Sequence, residues 1–354
     1  MRKFRIRVKS KRFFAFLAAF ILVLVLINIA VIKAVFFNKN NKKVDAQKIS
    51  SVNAKETQSN IPIDTSGNIY LEQNSIFKKY TIKNIGNTAN VKYSDDSNYI
   101  KIDFDKSVNF KLSSSNFNKN NAKGIALNKN NSSNEIKIDK SYINNNYVYI
   151  DGTAENSYIT VLVTKVAKPF TKKAVLNAGH GGSDVGSSYG NLYEKNVTLK
   201  IVKMMVSNLA YSGVEPILTR DKDEGEALAD IADFVNKNSP DVFLSVHINE
   251  FKQGPKENGI QIHYYTENGF QLEERKKFAE TVLKNAVKDD GWNNRGVFNK
   301  DKLKVLRLSK YPCALIECGF TTNAGDREKL QNDQSLGRLA SNLCDGIREY
   351  LNVK

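Results

Sequence analysis

Histidine is scarce in this chain, with three among 354 residues. Cysteine is as rare, and Cys313, Cys318 and Cys344 form no Cys-x-x-Cys pair. An odd count without that spacing excludes a disulfide framework and a cysteine zinc finger, so the fold must rest on its own apolar core. A basic folded face is missing too. The formal net charge is +16, yet residues 1–60 carry 13 basic and 2 acidic side chains while residues 171–354 carry 26 and 25. The excess belongs to the N-terminus, which argues against a nucleic-acid-binding core. Residues 61–170, with 14 basic and 10 acidic side chains, read as a solvated lysine-rich surface.

The N-terminus carries its charge in one block: Arg2, Lys3, Arg5, Arg7, Lys9, Lys11 and Arg12. An apolar run follows from Phe13 to Ile32, broken only by Asn28 and resuming after Lys33 through Phe37. As a helix, such a run spans about 30 Å, the thickness of the hydrocarbon layer. Residues 1–12 are therefore expected to be a cytoplasmic basic segment and 13–37 a single-pass transmembrane anchor, with the rest of the chain outside. A cleaved signal peptide is the alternative, but the run exceeds the usual 7–15 residues and no well-placed small-x-small site follows. Residues 38–60 are polar, with few large apolar side chains, and read as a flexible linker.

Residues 61–168 are expected to form a small all-β domain. Short alternating runs occur at Ile69–Leu71, Tyr80–Ile82, Tyr99–Phe104, Glu135–Ile138, Tyr147–Ile150 and Tyr158–Thr164. In the third run Ile100, Ile102 and Phe104 share one face and Lys101 and Asp103 the other, as in a half-buried strand. Clusters of Asn, Ser, Gly and Asp separate the runs, as turns should, and a β-sandwich is the default architecture.

From residue 169 onward, strand and helix patterns alternate. Strands are expected at Ala174–Asn177, Val214–Thr219, Val242–Val246, Gly259–Tyr265, Val305–Leu308 and Ala314–Ile316. Helices are marked by Val197–Leu209, Leu228–Val235, Phe278–Ala286 and Leu336–Leu351. The alternation predicts an α/β domain, a sheet with helices on both faces. Ligands in such domains bind beyond the carboxyl ends of the strands. His180 ends the first strand, within Gly179-His180-Gly181-Gly182. His247 ends the strand Val242–Val246, and Glu317 ends Ala314–Ile316. Glu194 opens the helix after the first loop and can fold back to the same edge. Two imidazoles and one carboxylate leave a fourth zinc position open, the pattern of a catalytic rather than a structural ion. The glycines around His180 fit no phosphate loop, since no Gly-Lys-Ser/Thr follows. His263 lies inside a strand and reads as structural. Cys318 has no histidine assigned to activate it as a nucleophile.

Several stretches together resemble the zinc-dependent N-acetylmuramoyl-L-alanine amidases of type 3. They are Leu176-Asn177-Ala178-Gly179-His180-Gly181-Gly182-Ser183-Asp184-Val185-Gly186, Glu194-Lys195, Leu218-Thr219-Arg220-Asp221, Ser245-Val246-His247-Ile248-Asn249, Val305-Leu306-Arg307, and Ala314–Phe320 with Asn323. Order and spacing agree over about 172–352, half the chain. The resemblance implies His180, Glu194 and His247 as ligands of Zn2+, Glu317 as the catalytic carboxylate, and a twisted sheet flanked by helices. It implies peptidoglycan as substrate, cut between muramic acid and the first alanine of the stem peptide. Asn177-Ala178 stands where the family often has Asp-Pro, and Ile231 where it often has arginine. Some relatives carry an inserted helix that plugs the site; between Tyr265 and Val305 there is room for one helix and a loop, which predicts constitutive activity. No protein activator can be named from the sequence.

On this reading Glu317 takes a proton from water and later delivers it to the leaving nitrogen. Asp184 is a candidate to orient the ligands, and Arg307 a candidate contact for substrate carboxylates. The 61–168 domain is either a cell-wall-binding module, with its lysines weakly attracting anionic wall polymer, or a spacer. Two other readings remain: an exported zinc peptidase acting within the stem peptide, and a non-catalytic wall-binding or regulatory protein.

Overall fold

The computed structural model describes residues 61–353 apart from 84, 86–90, 119, 130–131, 142, 152–157, 251–253 and 255. The basic segment, the expected anchor at 13–37 and the linker at 38–60 lie outside the described residues. Among those described, no helix is long and apolar enough to cross a membrane.

Residues 61–164 form ten strands: β1 (Ile63–Asp64), β2 (Ile69–Gln73), β3 (Lys78–Lys83), β4 (Lys92–Asp95), β5 (Tyr99–Asp105), β6 (Leu112–Ser113), β7 (Ile125–Lys129), β8 (Ser133–Asp139), β9 (Asn145–Asp151) and β10 (Tyr158–Thr164). They make a six-stranded sheet, β1-β6-β2-β3-β10-β9, and a four-stranded sheet, β4-β5-β8-β7. The two share one apolar core, in which Ile100, Ile102 and Phe104 of β5 join Ile82, Ile159 and Val161 of the larger sheet. The alternation read in β5 is thus the sandwich's inner face. Strand β10 is buried on both faces. Its Leu162 points away from that core into a second cluster with Phe77 and Ala210, flanked by Tyr147, Tyr149, Phe170 and Tyr211. The sandwich is therefore seated on the following domain, and Asn74 Nδ2 donates to the Tyr211 carbonyl across the junction at 2.8 Å.

The second domain contains β11 (Lys172–Ala178), the short hairpin β12 (Ser188–Tyr189) and β13 (Leu192–Tyr193), α1 (Glu194–Tyr211), β14 (Val214–Leu218), α2 (Leu228–Asn238), β15 (Val242–Asn249), β16 (Ile260–Tyr264), α3 (Leu272–Ala286), β17 (Asn294–Asn299), α4 (Lys304–Leu308), β18 (Cys313–Phe320), α5 (Ala324–Gln331) and α6 (Asp333–Leu351). Six strands form one sheet, β14-β11-β15-β18-β16-β17. The first four are parallel, and β16 runs antiparallel to β18. Alternate strand residues feed two cores. Leu176, Leu244 and Ile316 pack with α1, α3 and α6. Val175, Phe243 and Leu315 pack on the other face with Ile231 and Val235 of α2 and Val305 and Leu306 of α4. Helices on both faces agree with the alternation in the sequence.

Three expectations are corrected. Val305–Leu308 is helical, not a strand: four residues are too few for periodicity to separate the two, and the adjacent Val305 and Leu306 are both buried. Glu317 does not end its strand, because β18 continues through Cys318 to Phe320, both buried. His247 likewise lies inside β15, with Ile248 and Asn249 following it. Between Tyr265 and Val305 stand α3 and the edge strand β17, whose polar sequence Asn-Arg-Gly-Val-Phe-Asn hid it as loop.

Candidate metal centre

Strand register builds the site. His247 pairs with Glu317 across β15 and β18, and Glu317 pairs with Gln261 across β18 and β16, so the three form one row. The row lies on the same face as Phe243 and Leu315, since side chains alternate along a strand. Helices α2 and α4 cover the earlier residues of that face. His247 and Glu317 lie beyond this cover and stay part-exposed.

His180 follows β11 by two residues, in the left-handed region at φ 61°. A non-glycine residue held there costs about 1–3 kcal/mol and marks a locally over-determined backbone. Two glycines make room for the site. A Cβ on Gly179 would run into the His247 ring, and one on Gly186 would meet Glu194 Oε2 and the His180 ring.

Glu194 is the first residue of α1 and only 3% exposed. A carboxylate at a helix N-terminus gains from the helix dipole. Each oxygen has one backbone and one imidazole partner. Oε2 accepts from Ser187 N at 2.7 Å and lies 3.2 Å from His180 Nε2. Oε1 accepts from Ile248 N at 2.8 Å and lies 3.0 Å from His247 Nδ1. Asp184 Oδ2 sits 2.8 Å from His180 Nδ1, on the side of the ring away from Glu194. This is how an outer carboxylate fixes the tautomer and orientation of a ligating histidine.

The two site carboxylates are pushed in opposite directions. Burial raises the Glu194 carboxyl, but hydrogen bonds with His180 and His247 outweigh it and hold the group well below the usual carboxylate range. Glu317 has no such partner: burial pushes it up to about 7, against the lowering effect of His247. Its Oε2 is shielded from solvent and unpartnered. His180 is raised to about 9, first by its hydrogen bond to Glu194 and against its burial. His263 is held down to about 4 by burial; its Nε2 pairs with Gln261, and its Nδ1 is buried without a partner.

One donor atom from each of His180, Glu194 and His247 lies within 4.8 Å of the other two. Two imidazoles and a deprotonated carboxylate are a zinc donor set, and the orphaned Glu317 oxygen leaves an acceptor free beside it. The residues therefore fit the ion that the sequence implied. Arg307 is exposed on α4 and makes no hydrogen bond or ion pair with the cluster.

The residues that hold the His180 loop were not assigned roles from the sequence. Arg220, 2% exposed, donates to the carbonyls of Ala178, Gly179, Lys195 and Lys222. Lys195 bonds the Gly182 carbonyl and Asp223, and Asp223 accepts from Gly182 N. The signal was a cationic residue directly after an apolar strand, in Leu218-Thr219-Arg220-Asp221.

A family model described as N-acetylmuramoyl-L-alanine amidase matches residues 174–349. An endolysin of Bacillus phage SPP1 is 34% identical over 187 residues, covering 52% of this chain and 68% of the relative. This chain belongs to the N-acetylmuramoyl-L-alanine amidase family. The amidase LytC of Bacillus subtilis is 30% identical over 206 residues, but this chain spans only 40% of that longer protein. The crystal structure of an N-acetylmuramoyl-L-alanine amidase from Clostridium difficile 630 shares 31% identity over 52% of this chain and 98% of that one, with a TM-score of 0.49. The family model's match, residues 174–349, leaves the β-sandwich aside and contains every residue of the metal centre.

Proposed function

We propose that this protein is a zinc-dependent peptidoglycan hydrolase that cuts the amide between N-acetylmuramic acid and the L-alanine of the stem peptide. Family membership supports the bond, and the juxtaposition of a His180–Glu194–His247 donor set with an unpartnered Glu317 carboxylate carries the mechanism. A zinc ion held by the three donors would polarise the scissile carbonyl and lower the pKa of a water from 15.7 to roughly 7. Glu317 accepts the water's proton. Its Oε2 is buried without a hydrogen-bond partner, so an acceptor stands free for that proton. The same carboxyl then returns the proton to the alanine nitrogen as the C–N bond breaks. Asp184 orients His180, and Arg220 keeps its loop in place.

Residues 1–37 support a membrane anchor with the catalytic domain outside, where its substrate lies. Nothing between Tyr265 and Val305 resembles an inserted plug, which supports activity without a separate activator.

Mass spectrometry of peptidoglycan digested by the full chain tests the reading. The expected products are intact stem peptides with free alanine N-termini, released with zinc and not with chelator. Cleavage inside the stem would make the protein a peptidase, and zinc uptake without cleavage would leave a binding protein.

A further inference from the structure

Beside the metal centre, the hairpin β12–β13 presents Tyr189 to solvent at 54% exposure. The guanidinium of Arg327 lies over that ring, 3.7 Å from its centroid. Planar stacking of this kind fixes the plane of a guanidinium while leaving its edge free to donate. Arg327 Nη1 donates to the Thr321 carbonyl at 2.9 Å. Among the described residues no carboxylate pairs with it.

The pair joins the three segments that carry the site. Tyr189 is two residues beyond Ser187, whose N–H holds Glu194 and whose hydroxyl donates to the Ile248 carbonyl at 3.0 Å. Thr321 follows β18 and its N–H donates to Asn249 O at 2.9 Å, two residues past His247. Helix α5, which bears Arg327, is pinned at its start. Asp326 Oδ2 accepts from Gly259 N and Phe320 N at 2.8 and 2.9 Å, and Asn323 caps the helix through Asp326 N. The cation is thus held on rigid elements at the rim of a centre that carries three carboxylates, Asp184, Glu194 and Glu317, beside its two histidines.

The two charges of a zinc ion would not cancel three carboxylates beside neutral histidine ligands, so an anionic group of the peptide gains from a cation set off from the metal. We propose that Arg327, stacked on Tyr189, is the anchor for a carboxylate of the stem peptide next to the scissile amide. The proposal rests on the amidase reading and adds the substrate feature that the site selects. The geometry favours a planar, two-oxygen acceptor approaching the free edge of the guanidinium. A lysine, a point charge that does not stack in this way, restores only part of the effect.

The test uses the full chain with zinc and two soluble muramoyl peptides that differ only in whether the second residue's α-carboxylate is free or amidated. The wild type is expected to show a KM about tenfold lower for the free acid, one charge-assisted contact's worth. Arg327→Gln is expected to raise the free-acid KM to the amidated value with little change in kcat. Arg327→Lys should recover part of the difference, and Tyr189→Ala should weaken it. An unchanged KM ratio in Arg327→Gln, or an equal fall in kcat on both peptides, would overturn the anchor. Cleavage of neither peptide by the wild type would instead sink the amidase reading, and the anchor with it.

Discussion

The two domains treat charge differently. Among the described residues, the β-sandwich buries four polar side chains, Ser113, Asn134, Thr160 and Thr164, and none of them is ionisable as an acid or base near neutrality. The α/β domain buries Glu194, Arg220, His263, Arg275 and Asp326. An unpaired buried charge is costly, so each must be held by dedicated partners or serve chemistry. Arg220 and Arg275 are held by carbonyls, and Asp326 by backbone N–H groups. Glu194 is held by two N–H groups and two imidazoles, whereas Glu317 next to it is left with a bare oxygen. Buried charge therefore separates scaffold from site more sharply than apolar burial, which both domains have in plenty.

The comparison can be broken at several strengths. His180→Ala should abolish both metal uptake and hydrolysis, read by metal analysis of the purified chain and release of stem peptides. Glu317→Gln should keep the metal and lower kcat by about 10²–10⁴-fold, the usual worth of a general base. Metal loss in that variant would make Glu317 a ligand instead. Arg220→Met should leave several carbonyls buried without donors and cost about 3 kcal/mol or more, seen as a lower unfolding midpoint together with weakened metal binding. Lys101→Ala, on the outer face of the sandwich, should change turnover on a soluble muramoyl peptide not at all.

Glu317 also predicts a pH dependence of stability. Its folded pKa of about 7 lies above the ordinary 4.5. The folded state then holds a proton that the unfolded state has lost between those values, so stability present below pH 4.5 is lost as pH rises through 7. In chelator at pH 8, Glu317→Gln should accordingly be more stable than the wild type, by up to about 3 kcal/mol. The gap should close below pH 4.5, as measured by urea unfolding across pH. A gap that stays constant with pH would mean that Glu317 is not held in a desolvated site.

Much of this was legible in the sequence, and the reasons are physical. Period-2 alternation in Tyr99–Phe104 and the apolar run Val242–Val246 described strands whose burial the structure repeats. Their places after two apolar runs put His247 and Glu317 at one edge of the sheet, and the motif order linked His180 and Glu194 to them. Strand ends were less legible: Glu317 interrupts an apolar run without ending the strand, because its neighbours Ile316 and Cys318 are buried on the opposite face. The helical turn Val305–Leu308 and the polar edge strand β17 were too short or too polar to show a period. The support shell was hidden for another reason. Arg220 bonds backbone carbonyls, and nothing in a side-chain pattern encodes which carbonyls are left open. Of the two secondary candidates, Asp184 lies against His180 and Arg307 stands apart from the cluster.

The most direct measurement is anomalous scattering at the zinc edge from a crystal of the full chain grown with zinc. The account predicts one strong peak bonded to His180, Glu194 and His247, with the Glu317 carboxylate nearby and not coordinating. A peak elsewhere, or one ligated by Glu317 in place of Glu194, would contradict it.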